Sequence, residues 1–446
     1  MTADLPRLLF FFALLLAGLP ESDGLKFLVY SPRFGLSHVV FQPVNNPQFN
    51  STGTKKAKVI VREADYPIAV DVDDFGKKMW LKKSFMEMMA NVNVMGTFFA
   101  DSCEHQIKDE TMMQRLHMCS LLVFEKIGIK FAVTYAAALP QMMTSAIGIP
   151  LSTNIPGMMT ENFPPLGFKD RMANLLFETV GANFFKSRVV GPMDRMARRE
   201  FGADFDIMKK AEEAQLYFTN ADEFVEYARP ISSKVKFIGG IGLKKPKPLT
   251  PKYQKIMDES KKGVIFVSFG TVCPSSLMPD NVKQAFLGAF DAFPRRGSIE
   301  RPEDEIAKGH PNVFTETFWP QTDLLAHPKT IAFVTHGGAN SLAEASALGC
   351  PLCVTNPRHA VLVEYRKIGV KVDATNITTE NLVHAFGKLI NEPLYRKNAK
   401  ELARIIREKP NQPEEEFVRY CEFAAKHDLA SRLEIEARFQ TIHRNV

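Results

Sequence analysis

The second half of the chain alternates between short apolar runs and longer segments with helical periodicity. The apolar runs predict strands at 263–269, 313–318, 331–335, 351–355 and 370–373. The helical segments lie at 279–292, 339–348, 359–368, 379–391, 393–407 and 414–427. Alternation of this kind is typical of a parallel, doubly wound sheet with helices on both faces.

The first half shows a weaker version of the same pattern. Apolar runs predict strands at 25–31, 129–136, 216–219 and 235–238, and a Met-rich stretch predicts a packed helix at 85–100. The stretch from 239 to 251 is rich in Gly, Pro and Lys, as linkers are. A chain of 446 residues has room for two domains. The predicted division is a first domain at 25–240, a linker at 241–252, a second domain at 253–410 and C-terminal helices at 411–446.

Residues 1–24 have the composition of a secretory signal. Arg7 precedes an apolar core at 8–17, and small and polar residues suited to cleavage follow it. Sequons at Asn50 and Asn376 fit a glycoprotein of that compartment. No later run of about 18 apolar residues is present. We therefore expect a protein of the endoplasmic reticulum lumen, or a secreted one, without a C-terminal membrane anchor.

Charge and cysteine content argue against two classes of function, nucleic-acid binding and redox chemistry. The net charge is +6, and a basic block at 195–199 could indicate a nucleic-acid surface. No stacking aromatic residues are interleaved with that block, which favours a solvated helix face and no nucleic-acid partner. Cys350 and Cys353 have the spacing of a redox pair, but they flank the start of an apolar run rather than open a helix, which favours small core residues.

A glycine turn in the second half is the strongest candidate for a binding site. The apolar run 331–335 stops at His336-Gly337-Gly338, and a helix is predicted from residue 339. The N-terminus of a helix attracts anions, because its first N–H groups lack partners and the helix dipole is positive there. Two glycines let a diphosphate approach the backbone closely.

Side chains around the turn add to this interpretation. His336, Asn340 and Ser341 supply donors at the same helix end, and Glu344 could accept from ribose hydroxyls. Upstream, the indole of Trp319 could stack on a base and Gln321 could read the base edge. A glycine turn also occurs in many packed strand-helix units, so the turn by itself leaves a purely structural role open.

Four segments resemble the UDP-glycosyltransferases, in particular the UDP-glucuronosyltransferase branch. The longest is 318–349, which contains the turn and the upstream aromatic and amide residues. The segment 264–271 is similar to the family's first nucleotide-domain strand and phosphate loop, and 419–425 to its C-terminal segment. Residues 34–38 resemble the N-terminal catalytic turn.

The resemblance implies an α/β fold of the GT-B type, with two facing Rossmann-like domains and the active site in the cleft between them. It implies UDP-glucuronate or UDP-glucose as co-substrate, a small lipophilic acceptor, no cofactor and no metal. The positions that match the family's UDP-sugar site are Ser268, Gly270, Thr271, Trp319, Gln321, His336, Gly337, Gly338, Asn340, Ser341 and Glu344. His38 matches the base that takes the acceptor's proton in an inverting transfer. The formation of a homo-oligomer, or of a hetero-oligomer with family members, stays an open alternative.

The chain also departs from the family pattern. The acid expected to orient His38 is missing, and Asp109, Glu110 and Glu125 fall on helical sequence. Thr355-Asn356 stand where an Asp-Gln pair would grip the sugar. The helix expected after the first strand and the apolar strand expected within 293–302 are also missing from the pattern. An alternative function is therefore that of a degenerate or truncated member, which binds UDP or partners relatives with little or no turnover.

Overall fold

The structure is a computed structural model. It describes residues 120–140, 144, 147–157, 162–270, 275–293, 296–300, 308–316 and 319–435, together with the backbone of two strands at 12–17 and 26–29. The Met-rich helix predicted at 85–100 lies outside the described residues. So do the base candidate His38, the sequon residue Asn50 and the phosphate-loop residue Thr271.

The first domain is organised around a five-stranded sheet. Its strands are β1 (Phe12–Ala17), β2 (Lys26–Val29), β3 (Phe131–Tyr135), β4 (Tyr217–Thr219) and β5 (Val235–Phe237), in the order β2-β1-β3-β4-β5. The strands β3, β4 and β5 are parallel, as in a Rossmann-like domain. In contrast, β1 is antiparallel to both of its neighbours, so this sheet is mixed.

The strand β1 lies within the predicted secretory signal. Residues 14–17 pair with β2, and residues 12–15 pair with β3. A short apolar run is compatible with a buried strand as well as with a signal core, and periodicity alone does not separate the two. The targeting role of residues 1–24 stays a prediction.

Four helices and a π-helical turn belong to the described part of the first domain. They are α1 (Ser120–Ile127), α2 (Phe168–Phe185), the π-helix Lys186–Val190, α3 (Gly191–Phe201) and α4 (Ile207–Glu212). In α3, Met196 and Ala197 are buried while Arg195, Arg198 and Arg199 are exposed. This confirms that the basic block is the solvated face of a helix.

The second domain contains a six-stranded sheet in which every pairing is parallel. Its strands are β6 (Val264–Val267), β7 (Arg296–Glu300), β8 (Val313–Glu316), β9 (Thr330–Thr335), β10 (Leu352–Val354) and β11 (Gly369–Lys371), in the order β11-β10-β9-β6-β7-β8. The expectation that a strand is missing within 293–302 is wrong, because β7 lies there between β6 and β8. Ladder hydrogen bonds come from the backbone, so neighbouring strands can recruit a segment that lacks an apolar pattern.

Helices cover both faces of this sheet. They are α5 (Pro251–Glu259), α6 (Asp280–Ala292), α7 (Gln321–Ala326), α8 (Ala339–Leu348), α9 (Pro357–Tyr365), α10 (Thr379–Asn391) and α11 (Pro393–Arg407). Alternate residues of β6 point to opposite faces, so Ile265 and Val267 join one apolar cluster with α6 and α10. Val264 and Phe266 join the other cluster, with α8, α9 and α11. The predicted doubly wound α/β domain is confirmed.

The last helix returns to the first domain. The helix α12 (Pro413–Lys426) places Cys421 and Ala424 in a cluster with Leu216 and Phe218 of the first sheet. The ring of Phe417 lies edge-on to that of Phe218, with centroids 4.7 Å apart. The segment predicted as separate C-terminal helices is therefore part of the first domain's core. Within the described residues, no helix has the length and apolar character needed to cross a membrane.

Candidate functional site

Three neighbouring strands of the second sheet end at the same edge. After β6 the chain reaches Gly270, after β9 it reaches His336-Gly337-Gly338, and after β10 it reaches Asn356. The carboxyl edge of a doubly wound sheet is where such folds bind nucleotides. The structure therefore brings Gly270 and the glycine turn together, as predicted. Ser268 is also here, but it is buried and its N–H donates to Val334 O at 3.0 Å.

Both positions of the turn require glycine, because a side chain at either would clash with a neighbouring group. Gly337 also has a backbone conformation that favours glycine. Gly337 has a φ of +84°, which residues with a side chain rarely adopt. A Cβ on Gly337 would lie 2.5 Å from Cγ1 of Val354, and one on Gly338 would lie 2.7 Å from Nε2 of His336. Gly338 is the N-cap of α8 and provides no side-chain cap. The backbone at this helix end is thus open to close approach by an anion.

His336 is buried beside the turn with one nitrogen unpaired. Its Nδ1 is inaccessible to solvent and has no hydrogen-bond partner among the described residues. A Cβ on Gly270 would come within 3.5 Å of its ring. Burial lowers the pKa of His336 to about 4, although a hydrogen bond with the Phe269 backbone opposes the shift. The ring is therefore neutral at pH 7 and carries a single N–H and no positive charge.

Asn340 connects the helix end to the first domain. Its Oδ1 accepts a hydrogen bond from Nδ2 of Asn220 at 2.8 Å. Asn220 directly follows β4, and its N–H donates to Tyr135 O at the end of β3. Ser341 lies half-buried in the first turn of α8. The predicted donors are thus present at the helix end, with one of them already engaged across the domain boundary.

The residues predicted to hold the base and ribose already contact other residues of the protein. Trp319 is only 4% exposed, and its ring lies 5.3 Å from that of Tyr253 and 6.3 Å from that of Phe266. This differs from the expectation of an open indole face, because the ring is part of the domain core. Gln321 Nε2 donates to Glu344 Oε2 at 2.8 Å. Burial raises the pKa of Glu344, while Gln321 and Thr322 oppose the rise.

The segment after β10 is used for folding. Asn356 is the N-cap of α9, and its Oδ1 accepts from the His359 N–H at 3.1 Å. Thr355 is buried, and its N–H donates to Thr335 O. These are the residues that stand where the resemblance implies an Asp-Gln pair. Among the candidate acids, Glu125 lies on α1 and forms an ion pair with Lys210 at 2.6 Å, as a structural residue would.

Two interactions of α9 with its surroundings were missed from the sequence. His359 Nδ1 lies 2.5 Å from Gly337 O, so it contacts the glycine turn directly. Arg358 forms two hydrogen bonds with the carboxylate of Glu226 in the first domain, at 2.6 and 3.0 Å. One signal was available: these residues open a helix directly after β10, which neighbours β9 at the edge where nucleotides bind.

The remaining predicted positions are an exposed sequon residue and two buried cysteines. Asn376 is exposed in the turn before α10, where a sequon would be accessible, and its glycosylation stays a prediction. Cys350 and Cys353 are buried free thiols, and burial raises the pKa of each to about 12. This confirms that they are core residues. Within the described ranges, no cluster of three or more His, Cys, Asp or Glu side chains could hold a metal ion.

Comparisons with known proteins found several similar sequences and structures. UDP-glucosyltransferase 2 of Dactylopius coccus is 30% identical over 252 residues, which is 55% of this chain and 49% of that protein. UDP-glucuronosyltransferase 2A3 of Mus musculus is 26% identical over 348 residues, covering 76% of this chain and 65% of that protein. This chain thus spans about half to two thirds of these relatives. The solved structure of Os79 from O. sativa in complex with UDP is 17% identical, with a TM-score of 0.48, covering 68% of this chain and 74% of that one.

A protein-family comparison covers most of the chain. The family model described as UDP-glucuronosyl and UDP-glucosyl transferase matches residues 62–443. The matched range includes both described sheets except β1 and β2, and it includes the glycine turn. A family defined by transfer from UDP-sugars uses the nucleotide sugar as a co-substrate rather than as a cofactor. The chain therefore belongs to the UDP-glucuronosyl and UDP-glucosyl transferase family.

Proposed function

We propose that the second domain binds UDP at the carboxyl edge of its sheet. We further propose that the chain moves a hexosyl or glucuronosyl group from UDP-glucose or UDP-glucuronate to a small lipophilic acceptor, with inversion and with His38 as base. The observation that supports UDP binding best is the glycine turn at the start of α8, with the unpaired Nδ1 of His336 buried beside it. Buried polar atoms are normally satisfied, so an unpaired one at an anion-binding helix end favours a ligand there.

The proposal assigns each part of UDP to a region of this site. The diphosphate would lie at the N-terminus of α8, where the backbone N–H of Gly338 and the helix dipole favour negative charge. The ribose would lie near Glu344, one turn along the same helix. Its hydroxyls would have to share or replace the bond from Gln321 to Glu344. Trp319 and Tyr253 would support the base from behind.

A second candidate function is supported by the segment after β10 and by Glu125. Thr355 and Asn356 are engaged in strand pairing and in capping α9, and Glu125 is engaged with Lys210. These polar groups therefore already have partners within the protein. This favours a member that binds UDP, or partners relatives in an oligomer, with little turnover.

A titration with UDP, paired with a turnover assay, tests both functions. We expect wild-type protein to bind UDP, and His336→Ala to weaken binding at least several-fold, because a buried polar ring beside the glycine turn is lost. His384→Ala is the matched control, since His384 is exposed on α10 and is not among the residues assigned to UDP. Unchanged affinity in folded His336→Ala would refute the assignment. Turnover with His38-dependent rates would favour the enzyme over the binder.

The location is also part of the proposal. The predicted signal and the sequons at Asn50 and Asn376 support a glycoprotein of the endoplasmic reticulum lumen or a secreted one. Carbonate extraction of expressing cells should release the chain, and treatment with an N-glycosidase should lower its apparent mass. Recovery in the membrane pellet without a membrane-bound relative would contradict this location.

A further inference from the structure

His359 restrains the glycine turn, although it lies outside the set of residues assigned to UDP. Its Nδ1 is 2.5 Å from Gly337 O. A carbonyl oxygen can only accept, so Nδ1 carries the proton and donates. Burial, and the nearby Arg358, lower the pKa of His359, which keeps the ring neutral at pH 7. The bond thus fixes both the tautomer of the ring and the direction of the carbonyl.

The direction of that carbonyl determines where the next N–H points. In a trans peptide the C=O of one residue and the N–H of the next lie on opposite sides. The N–H of Gly338 therefore points away from His359, at the N-cap of α8. A peptide between two glycines has no Cβ on either side to restrict its rotation. Without an external partner it could turn over and present an oxygen, rather than an N–H, to an anion.

The helix that carries His359 is held from both sides. Arg358 and Glu226 form a bidentate ion pair in which both side chains are largely buried. At the far end of α9, Arg366 Nε donates to Val225 O at 2.8 Å, and its guanidinium also donates to Glu226 O. Toward the turn, the N–H of Asn356 donates to His336 O at 3.0 Å. The first domain therefore fixes α9, and α9 fixes the turn.

We propose that His359 is a positioning residue for the diphosphate turn. It holds the Gly337 carbonyl so that the Gly338 N–H faces the bound diphosphate, and the Glu226–Arg358 pair of the domain interface holds α9 in place. This inference rests on the proposed UDP site. Loss of the His359 bond should lower UDP affinity, although no group that contacts UDP is removed.

Three variants at one position separate the bond from mere packing. The amide nitrogen of Asn lies close to the place of His Nδ1, so His359→Asn keeps the donor. His359→Leu removes it, and His359→Gln moves the amide to the place of Nε2. We expect the Leu and Gln variants to bind UDP about five- to tenfold more weakly, the cost of one net hydrogen bond. The Asn variant should stay within about twofold of wild type, and thermal unfolding identifies the folded variants.

Hydrogen exchange without UDP provides a second measurement. Amides at 336–342 should exchange faster in the Leu or Gln variant than in wild type or the Asn variant. If wild type binds UDP and the folded Leu and Gln variants bind equally well, the inference is overturned. An equal loss of affinity in all three variants also overturns it, because packing would then explain the effect. If wild type does not bind UDP, the proposed function fails, and unchanged exchange in the variants would reject the positioning role separately.

Discussion

The ends of β9 and β10 lie side by side, yet their polar groups have different fates. After β9, two glycines leave the backbone open, and a buried nitrogen of His336 has no partner among the described residues. After β10, Asn356 caps a helix and Thr355 is buried. The end of β9 keeps polar groups available for a ligand, whereas the polar groups after β10 stabilise the fold. Under the proposed function, this contrast predicts that the chain keeps UDP binding, which depends on the end of β9, even if it has lost the sugar contacts expected at the end of β10.

The largest expected effect is on turnover, and its measurement could contradict the contrast between the ends of β9 and β10. Under the second candidate function, that of a UDP binder with little turnover, we expect transfer from UDP-glucuronate and UDP-glucose to phenols and steroids to be reduced about 10⁴-fold relative to the relatives, the effect of losing the orienting acid in a related triad. UDP binding should persist. Turnover at the level of intact relatives, abolished by His38→Ala, would contradict this and show that another carboxylate replaces the acid.

The next effect concerns pH and the end of β9. Because burial lowers the pKa of His336 from 6.5 to about 4, protonation favours the unfolded state. The stabilisation is complete above about pH 6.5 and is lost as the pH falls toward about 4, and it amounts to at most about 3 kcal/mol.

Urea unfolding of wild type and His336→Asn over this range measures that effect. The Asn variant should lose less stability on acidification, while His359 titrates in both proteins. Parallel pH profiles for the two proteins would show that His336 is not buried neutral.

A smaller effect is expected when the turn itself is filled. Gly337→Ala places a Cβ at a positive φ, 2.5 Å from Val354 Cγ1, and should lower the free energy of unfolding by about 2 kcal/mol and weaken UDP binding. Gly181→Ala is the matched control, because its Cβ in α2 meets nothing within 4 Å and alanine favours helix. Chemical denaturation should show opposite signs for the two variants, and equal signs would place the turn elsewhere.

The smallest effect tests the end of β10. Asn356→Ala removes the N-cap of α9 and should cost about 1 kcal/mol of stability, while UDP affinity changes little. Asn356→Ser keeps a capping oxygen and should behave like wild type in the same unfolding assay. A large loss of UDP affinity in Asn356→Ala, without loss of stability, would show that this residue contacts the ligand.

The sequence was sufficient for most strands and helices of the second domain and for the glycine turn, because both depend on local patterns. The helix α8 begins and ends where predicted, and Gly337 has the left-handed conformation that a tight turn requires. The strand β7 was missed because its place depends on β6 and β8 rather than on its own residues. The burial of Trp319 depends on Tyr253, which lies far away in the chain.

The contacts of α9 were beyond sequence reasoning for the same reason. The pairing of Arg358 with Glu226 joins residues 132 positions apart, and the bond from His359 to Gly337 spans 22. Neither spacing has a period that a local pattern could show. Residues at the carboxyl ends of adjacent parallel strands are candidates for such contacts, but their partners depend on how the domains are docked.

The return of α12 to the first domain determines how the protein can be divided. Leu216, Phe218 and Ile238 of the first domain are fully buried, and they share their cluster with Cys421 and Ala424 of that helix. A fragment that stops at the linker near residue 250 would leave this apolar surface in water and would tend to aggregate. The polypeptide crosses between domains twice, so the independent folding units do not coincide with the two halves of the sequence. A stable first domain has to be assembled from both ends of the chain, and a protease cut in the linker alone would leave the two halves associated.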